Sequence, residues 1–228
     1  MSRPEILFDG TQRTFARWRK VGQNDFALED GAIVTVGSGD FAVLYYAPST
    51  FDDFVLRLEF RLSDSLKDNS GVFVRFRNPE LPPTPETLAH DELRNISRNP
   101  AWIAVCSGFE IQIDEQARGS KQHNERDGLN KNRTGAVYKI PTGDNGEPRL
   151  QEYHPGPALY PGEWNEYAIT VTGDTYVVEL NGRKTTTFVN TDPARGLSPT
   201  RDPDSGYIGL QSYRNSRVGF RNIRVWRM

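Results

Sequence analysis

The sequence predicts an all-β fold, a two-sheet jelly-roll sandwich, and three observations lead there. Apolar residues alternate with mostly charged ones through Phe54–Leu62, the period of a half-buried strand. The pair Asn181-Gly182 lies between two runs rich in β-branched and aromatic residues, the strongest short-range signal for a hairpin. Many further short runs of this kind are separated by Gly, Pro, Asn and Asp, whereas helical periodicity is scarce. At 228 residues the chain is within the size of one β-sandwich, and residues 1–228 are read as a single domain.

The elements follow in order. Phe41–Tyr46 is an apolar run of strand length, and Phe54–Leu62 places its even-numbered apolar residues on one face. Gly71–Phe76 leaves the turn at Asn69-Ser70, with Phe73 and Arg75 expected opposite Val72 and Val74. Phe109–Asp114 and Thr134–Ile140 are the next two predicted strands, followed by Tyr167–Thr172 and Tyr176–Leu180. Because both residues of an Asn-Gly turn accept positive φ, Tyr176–Leu180 is paired with Thr185–Val189. Tyr207–Tyr213 and Val218–Trp226 complete the set. In the last of these the apolar period slips between Phe220 and Ile223, which predicts a β-bulge at Arg221-Asn222. Asn78–Ser107, Glu115–Arg133 and Thr142–Pro161 are long loops, the first with a short helix around Glu86–Ile96; such loops commonly carry function.

Composition narrows the partners. Lys and Arg number 28 against 30 Asp and Glu, so the net charge of -2 gives no bulk attraction for nucleic acid or anionic lipid. A single cysteine, Cys106, excludes an intramolecular disulfide. No run reaches the ~18 apolar residues of a membrane span, and the N-terminus shows no signal-peptide core, so a soluble chain is expected, its compartment left open. His90, His123 and His154 are far apart and form no metal-binding spacing; Asp144-Asn145-Gly146-Glu147 has a calcium loop's composition but only a fragment of its ligand set. No phosphate loop or Gly-x-Ser-x-Gly elbow is present, and no cofactor is called for.

The polar residues suited to chemistry concentrate on a few strands. With Ile111 and Ile113 directed to the core, Glu110, Gln112 and Asp114 share the opposite face; two carboxylates and an amide supply the donors and acceptors that sugar hydroxyls need, unless they simply form a solvated face. Arg75 either binds sugar oxygens there or pairs with Glu110. Gln211, with Tyr207 and Tyr213, faces away from Ile208 and Leu210, and Tyr138 is either a stacking platform or a buried tyrosine with a satisfied hydroxyl. His123, nine residues beyond Asp114, is a further proton-transfer candidate or a solvated loop histidine.

In this arrangement the chain resembles the 3-keto-disaccharide hydrolase family, whose members look like concanavalin A-like jelly rolls and are often exported. The resemblance runs through Leu7-Phe8-Asp9-Gly10, Asn69-Ser70-Gly71-Val72-Phe73-Val74-Arg75, Gly108–Asp114, Thr134-Gly135-Ala136-Val137-Tyr138, Pro161-Gly162-Glu163-Trp164-Asn165 and Phe220-Arg221-Asn222-Ile223. It implies a carbohydrate substrate with a ketone at carbon 3, cleaved by removal of the carbon-2 proton, elimination at carbon 1 and hydration. Glu110, Asp114 and His123 are the candidates for proton transfer; Arg75, Gln112, Tyr138 and Gln211 are the candidates for substrate binding. Two alternatives use the same face. Glu110-x-Gln112-x-Asp114 is similar to the Glu-x-Asp-x-Glu strand of laminarinase-like retaining glucanases but departs at two of three places, and a lectin-like binding module would need no catalytic carboxylate.

Overall fold

The computed structural model describes residues 3–81, 90–119, 124–191 and 205–228. Among these, the strands form two antiparallel sheets packed face to face. The larger, nine-stranded sheet contains β1 (Glu5–Phe8), β3 (Asp25–Glu29), β4 (Ala32–Val36), β6 (Phe54–Leu62), β9 (Gln151–Tyr153), β10 (Asn165–Thr172), β11 (Thr175–Leu180), β12 (Arg183–Val189) and β14 (Val218–Arg227). Its order is β3-β4-β14-β6-β10-β11-β12-β9, with β1 also on β14. The smaller, five-stranded sheet has the order β2-β5-β13-β7-β8, from β2 (Trp18–Gly22), β5 (Phe41–Tyr46), β13 (Tyr207–Tyr213), β7 (Ser70–Phe76) and β8 (Phe109–Ile113).

The main core is made by the inward faces of both sheets. Leu56, Leu58, Phe60 and Leu62 of β6, with Tyr167, Ile169 and Val171 of β10, meet Val72 and Val74 of β7, Ile111 and Ile113 of β8, and Ile208 and Leu210 of β13. Phe60 stacks on Tyr167 at 4.7 Å between ring centroids, and truncating so enclosed a ring to alanine costs about 3–5 kcal/mol. The hairpin forms as expected: Leu180 pairs with Arg183, and Asn181 and Gly182 take φ of 51° and 74°. The bulge in β14 also forms, with a register shift between Arg221 and Arg224 and φ of 54° at Asn222.

A second apolar cluster covers part of the outer face of the small sheet. Helices α2 (His90–Arg98) and α3 (Trp102–Ser107), preceded in the chain by the short α1 (Gln12–Phe15), supply Ile96, Ile103 and Ala104 against Phe41, Val43, Tyr45, Phe73 and Phe76. Burial on both sides explains why β5 reads as an unbroken apolar run, Phe-Ala-Val-Leu-Tyr-Tyr, rather than an alternating one. The expected single helix in the 78–107 loop is therefore two; residues 86–89 of its predicted range lie outside the described residues.

Two expectations are corrected here. Thr134–Ile140 is not a regular strand: positive φ at Gly135 (87°) and Lys139 (68°) and turn bonds at Ala136 and Ile140 curl it. It still lies along the edge of β8, with Gly135 N donating to Gln112 O (2.9 Å), Gln112 N to Ala136 O (3.0 Å) and Tyr138 N to Glu110 O (2.8 Å). Arg75 does not lie beside Glu110. With φ of 53° it forms a bulge, across which Phe73 and Phe76 both join the outer cluster. Its guanidinium donates instead to Asp52 O (3.0 and 2.7 Å), Asp53 Oδ1 (2.9 Å) and Gly173 O (2.5 Å), tying two loops together.

Candidate active site

Where α2 and α3 leave the outer face of the small sheet, polar side chains take over. Register places Gly71 opposite Gln112 and Phe73 opposite Glu110, while on the other side of β7 Leu210 pairs with Val72. Gln211, one step along β13, thus flanks Gly71 from the side away from β8, and Val43 of β5 lies beyond it. Gly71 contributes no side chain. A Cβ there would sit 2.2 Å from Glu110 Oε1, 2.6 Å from its Cγ and 2.8 Å from its Cδ, so the Glu110 side chain occupies the space a larger residue would fill. It crosses β7 and receives a hydrogen bond from Gln211 Nε2 on Oε1 at 2.5 Å.

Glu110 is only 5% exposed. Burial penalises its charged form and pushes its carboxyl up to about 8, while the Gln211 hydrogen bond acts in the opposite direction. Oε1 has that one partner; Oε2 has none among the described residues. Gln211 Oε1 is a fully enclosed acceptor with no partner. Gln112 is buried alongside, its Oε1 accepting from Ile113 N at 3.3 Å.

Asp114 shares this face but is held differently. Its carboxylate, completely buried, accepts from Asn69 Nδ2 (2.9 Å), Gln116 N (2.9 Å), Arg118 N (3.2 Å) and Arg118 Nε (3.3 Å). These bonds close the turn after β8, and Arg118 extends the tie to Lys67 O and Asp68 O.

Two phenols border the acid. Tyr138 is brought to β8 by the hydrogen bond from its backbone to Glu110. Burial, then the negative charges of Glu110 and Glu125, hold its hydroxyl well above the usual phenol range, so it remains a neutral O–H donor. Tyr213, on the same face of β13, is raised by burial against the opposing pull of Arg214. The face thus offers a weakly acidic carboxyl, neutral hydroxyls and amides, a set suited to proton transfer on a polyhydroxylated ligand.

A model of the 3-keto-alpha-glucoside-1,2-lyase-like domain matches residues 3–226. The chain belongs to that family. Membership supports a carbohydrate-active protein, in agreement with the sugar-directed reading of the sequence. A search of curated proteins finds none that matches. Among solved structures, the chain is similar to two proteins of Parabacteroides distasonis ATCC 8503 classed provisionally as glycosyl hydrolases. One is 18% identical with a TM-score of 0.65 over 99% of this chain and 94% of the other; the second is 20% identical with a TM-score of 0.62 over 100% of both. It is also similar to the carbohydrate binding module CBM66 from Bacillus subtilis, at 11% identity and a TM-score of 0.52 over 91% of this chain and 93% of that one. At these identities the likeness is one of fold.

Within this family member, an ionic cluster supports the loop that carries Tyr138. Lys131, 9% exposed in its side chain, lies 3.5 Å from Glu125 and 2.5 Å from Glu147, and Lys139 lies 2.7 Å from Glu125 and over the Tyr138 ring at 5.5 Å. Gln151 adds hydrogen bonds to both Val137 backbone groups and to Ile140 O. Asp144–Gly146, the fragment with calcium-loop composition, is a 3-10 turn, and its neighbour Glu147 is bonded to Lys131. Of the sequence candidates, the structure brings together Glu110, Gln112, Gln211 and Tyr138, keeps Asp114 in a turn at the end of the same face, and puts Arg75 elsewhere. His123 lies outside the described residues. Gly71 and Arg118 were not among the candidates: their parts depend on cross-strand register and on a turn.

Proposed function

We propose that this protein cleaves 3-keto-glycosides by β-elimination, with Glu110 as the general base. A ketone at carbon 3 acidifies the carbon-2 hydrogen. The Glu110 carboxylate takes that hydrogen as a proton, and the C–H electron pair moves into an enolate whose charge rests on the carbon-3 oxygen. Collapse of the enolate forms a carbon 1–carbon 2 double bond and breaks the bond from carbon 1 to the glycosidic oxygen. The leaving group departs with that electron pair and is protonated to an alcohol. Addition of water across the double bond then gives the free 3-keto sugar, so the sum is hydrolysis. Tyr138, which stays protonated, is the donor to the enolate oxygen, and Gln112 orients sugar hydroxyls.

One observation supports this reading best: Glu110, buried and with its carboxyl pushed up to about 8, has a single hydrogen-bond donor, Gln211, among the described residues and lies beside neutral hydroxyl and amide groups. An ordinary solvent-exposed carboxylate is a weaker base, and a base that titrates near the working pH suits abstraction from carbon. Asp114 serves in this scheme as the organiser of the turn, since its oxygens already accept four hydrogen bonds. That also weighs against a retaining carboxylate pair, which needs two available carboxyls ~5–5.5 Å apart.

The test is incubation with a 3-keto-disaccharide and with its unoxidised parent, following both released sugars for the wild type and Glu110→Gln. Release from the keto substrate alone, lost in the variant, is the expected result. Cleavage of the parent points to an ordinary glycosidase. Binding of sugars without turnover of either points to a carbohydrate-binding module.

A further inference from the structure

We propose that Gly71 and Gln211 are positioning residues for Glu110: Gly71 leaves the notch in which the side chain lies, and Gln211 occupies Oε1 so that Oε2 alone exchanges the proton. The catalytic part of this inference rests on Glu110 being the base; the positioning part does not.

The geometry carries both halves. A carboxylate on the outer face of β8 would normally stand away from the sheet, because a neighbouring side chain on β7 would fill the space beside it. At Gly71 that space is empty, and the Glu110 Cγ, Cδ and Oε1 all lie within 2.8 Å of where a Cβ would be. Even alanine is therefore incompatible with this placement of Glu110. The side chain reaches across β7 to β13, where Gln211 Nε2 donates to Oε1. Ser70 Oγ donates to the main-chain O of Gln211 at 2.6 Å, which ties the backbone of β13 to β7 beside the notch, and Gln211 as a whole is only 6% exposed.

This pairing makes the two oxygens of Glu110 unequal. Oε1 accepts a fixed N–H, which makes it the less basic of the two oxygens and favours the proton on Oε2. Oε2 has no hydrogen-bond partner among the described residues, and in this arrangement it is the oxygen that meets the C–H bond. Holding the second oxygen in one orientation removes the rotation that would otherwise average the two, the usual contribution of a positioned catalytic group. The unpartnered state of Gln211 Oε1 fits the same account: the amide is oriented to serve Glu110 although its own acceptor goes unmet.

Among the described residues, few groups face Glu110. β13 presents Gln211 and Tyr213, the segment along β8 presents Tyr138, and β8 itself carries Asp114; α3, packed against β7 and β8, has Cys106 as its one titratable side chain. None of these is a cation, so the Gln211 amide is the principal feature near the carboxyl that favours its charged form.

The experiment is a carbon-13 NMR titration of the Glu110 carboxyl in the wild type, Gln211→Met and Gln211→Glu, paired with pH–rate profiles on a 3-keto-disaccharide. Methionine keeps the volume and removes the donor. The expected result is a Glu110 midpoint about one pH unit higher, a kcat lower by roughly tenfold to hundredfold with KM changed much less, and a rate limb displaced with the NMR midpoint. Gln211→Glu, nearly isosteric, provides a second case should methionine disturb the fold: two adjacent buried carboxyls hold their last proton to higher pH than the wild-type site. Gly71→Ala is expected to lower kcat further than either. An unmoved Glu110 midpoint in both folded Gln211 variants overturns the positioning role. A midpoint that moves while the wild type shows no keto-glycoside turnover upholds the pairing and removes the assigned reaction.

Discussion

Glu110 and Asp114 lie four residues apart on one face of one segment, and the surroundings give them opposite properties. Asp114 is completely buried yet surrounded by donors from Asn69, Gln116 and Arg118, so its oxygens are satisfied in place. Glu110 is almost as buried and has one donor, Gln211. Depth alone does not make a reactive carboxyl; depth with few partners does, because desolvation then goes uncompensated. The first arrangement builds a turn, and the second leaves a buried carboxyl with a single donor and a raised pKa, which is why Glu110 is the proposed base.

Substitutions at the two positions should separate these roles. The largest effect is expected for Glu110→Gln, which keeps the shape and the site's other donors but removes the base: turnover of a keto-glycoside falls by about 10²–10⁴-fold, measured as initial rates on folded protein. The same variant sharpens the contrast in stability. Glu110 in the folded chain holds its proton up to about pH 8, whereas the unfolded chain releases it near the ordinary glutamate value of 4.5. Between those pH values the folded state binds the extra proton, so stability is greatest below about 4.5 and falls as pH rises through 8, by at most about 5 kcal/mol. Denaturant titrations across this range should show that slope in the wild type and lose it in Glu110→Gln.

For Asp114→Ala the order of effects reverses. Four hydrogen bonds lose their acceptor and the turn loses its tie to Arg118, so unfolding free energy falls by about 2–4 kcal/mol, while activity per folded molecule falls far less than in Glu110→Gln. Equal losses of activity at both positions would erase the distinction. The smallest effect is expected for Tyr138→Phe, whose hydroxyl has no hydrogen-bond partner among the described residues: a drop in kcat of about tenfold, with little change in the denaturation midpoint.

Much of the large sheet was legible because its central strands face the core on one side only. β6 shows this best: Leu56, Leu58, Phe60 and Leu62 point inward and Arg57, Glu59 and Arg61 outward, so periodicity reports the fold directly. The short N-terminal strands escaped notice. β2, Trp-Arg-Lys-Val-Gly, is an edge strand with one deeply buried residue and too little alternation to register. Thr134–Ile140 had strand composition but is curled by two residues of positive φ, a property that Lys139 does not advertise.

The same division applies to the site. Glu110, Gln112 and Gln211 were placed on the outer face by parity alone, and that parity holds in β8 and β13. Parity failed at Arg75, since its left-handed backbone redirects the side chain to the Asp52–Asp53 loop. What distinguishes Glu110 from Asp114, and what makes Gly71 matter, depends on which residues stand across neighbouring strands. Contacts such as Gly71 with Glu110, or Gln211 with Glu110 across 101 residues, have no local signature.

The most direct test of Glu110 as the base bypasses the leaving group altogether. A 3-keto monosaccharide is incubated in D2O with the wild type, Glu110→Gln and Asp114→Asn, and the carbon-2 proton signal is followed by NMR. Enzyme-dependent loss of that signal in the wild type and in Asp114→Asn, at background rate in Glu110→Gln, is the predicted result. Exchange that persists at the wild-type rate in Glu110→Gln would contradict the account.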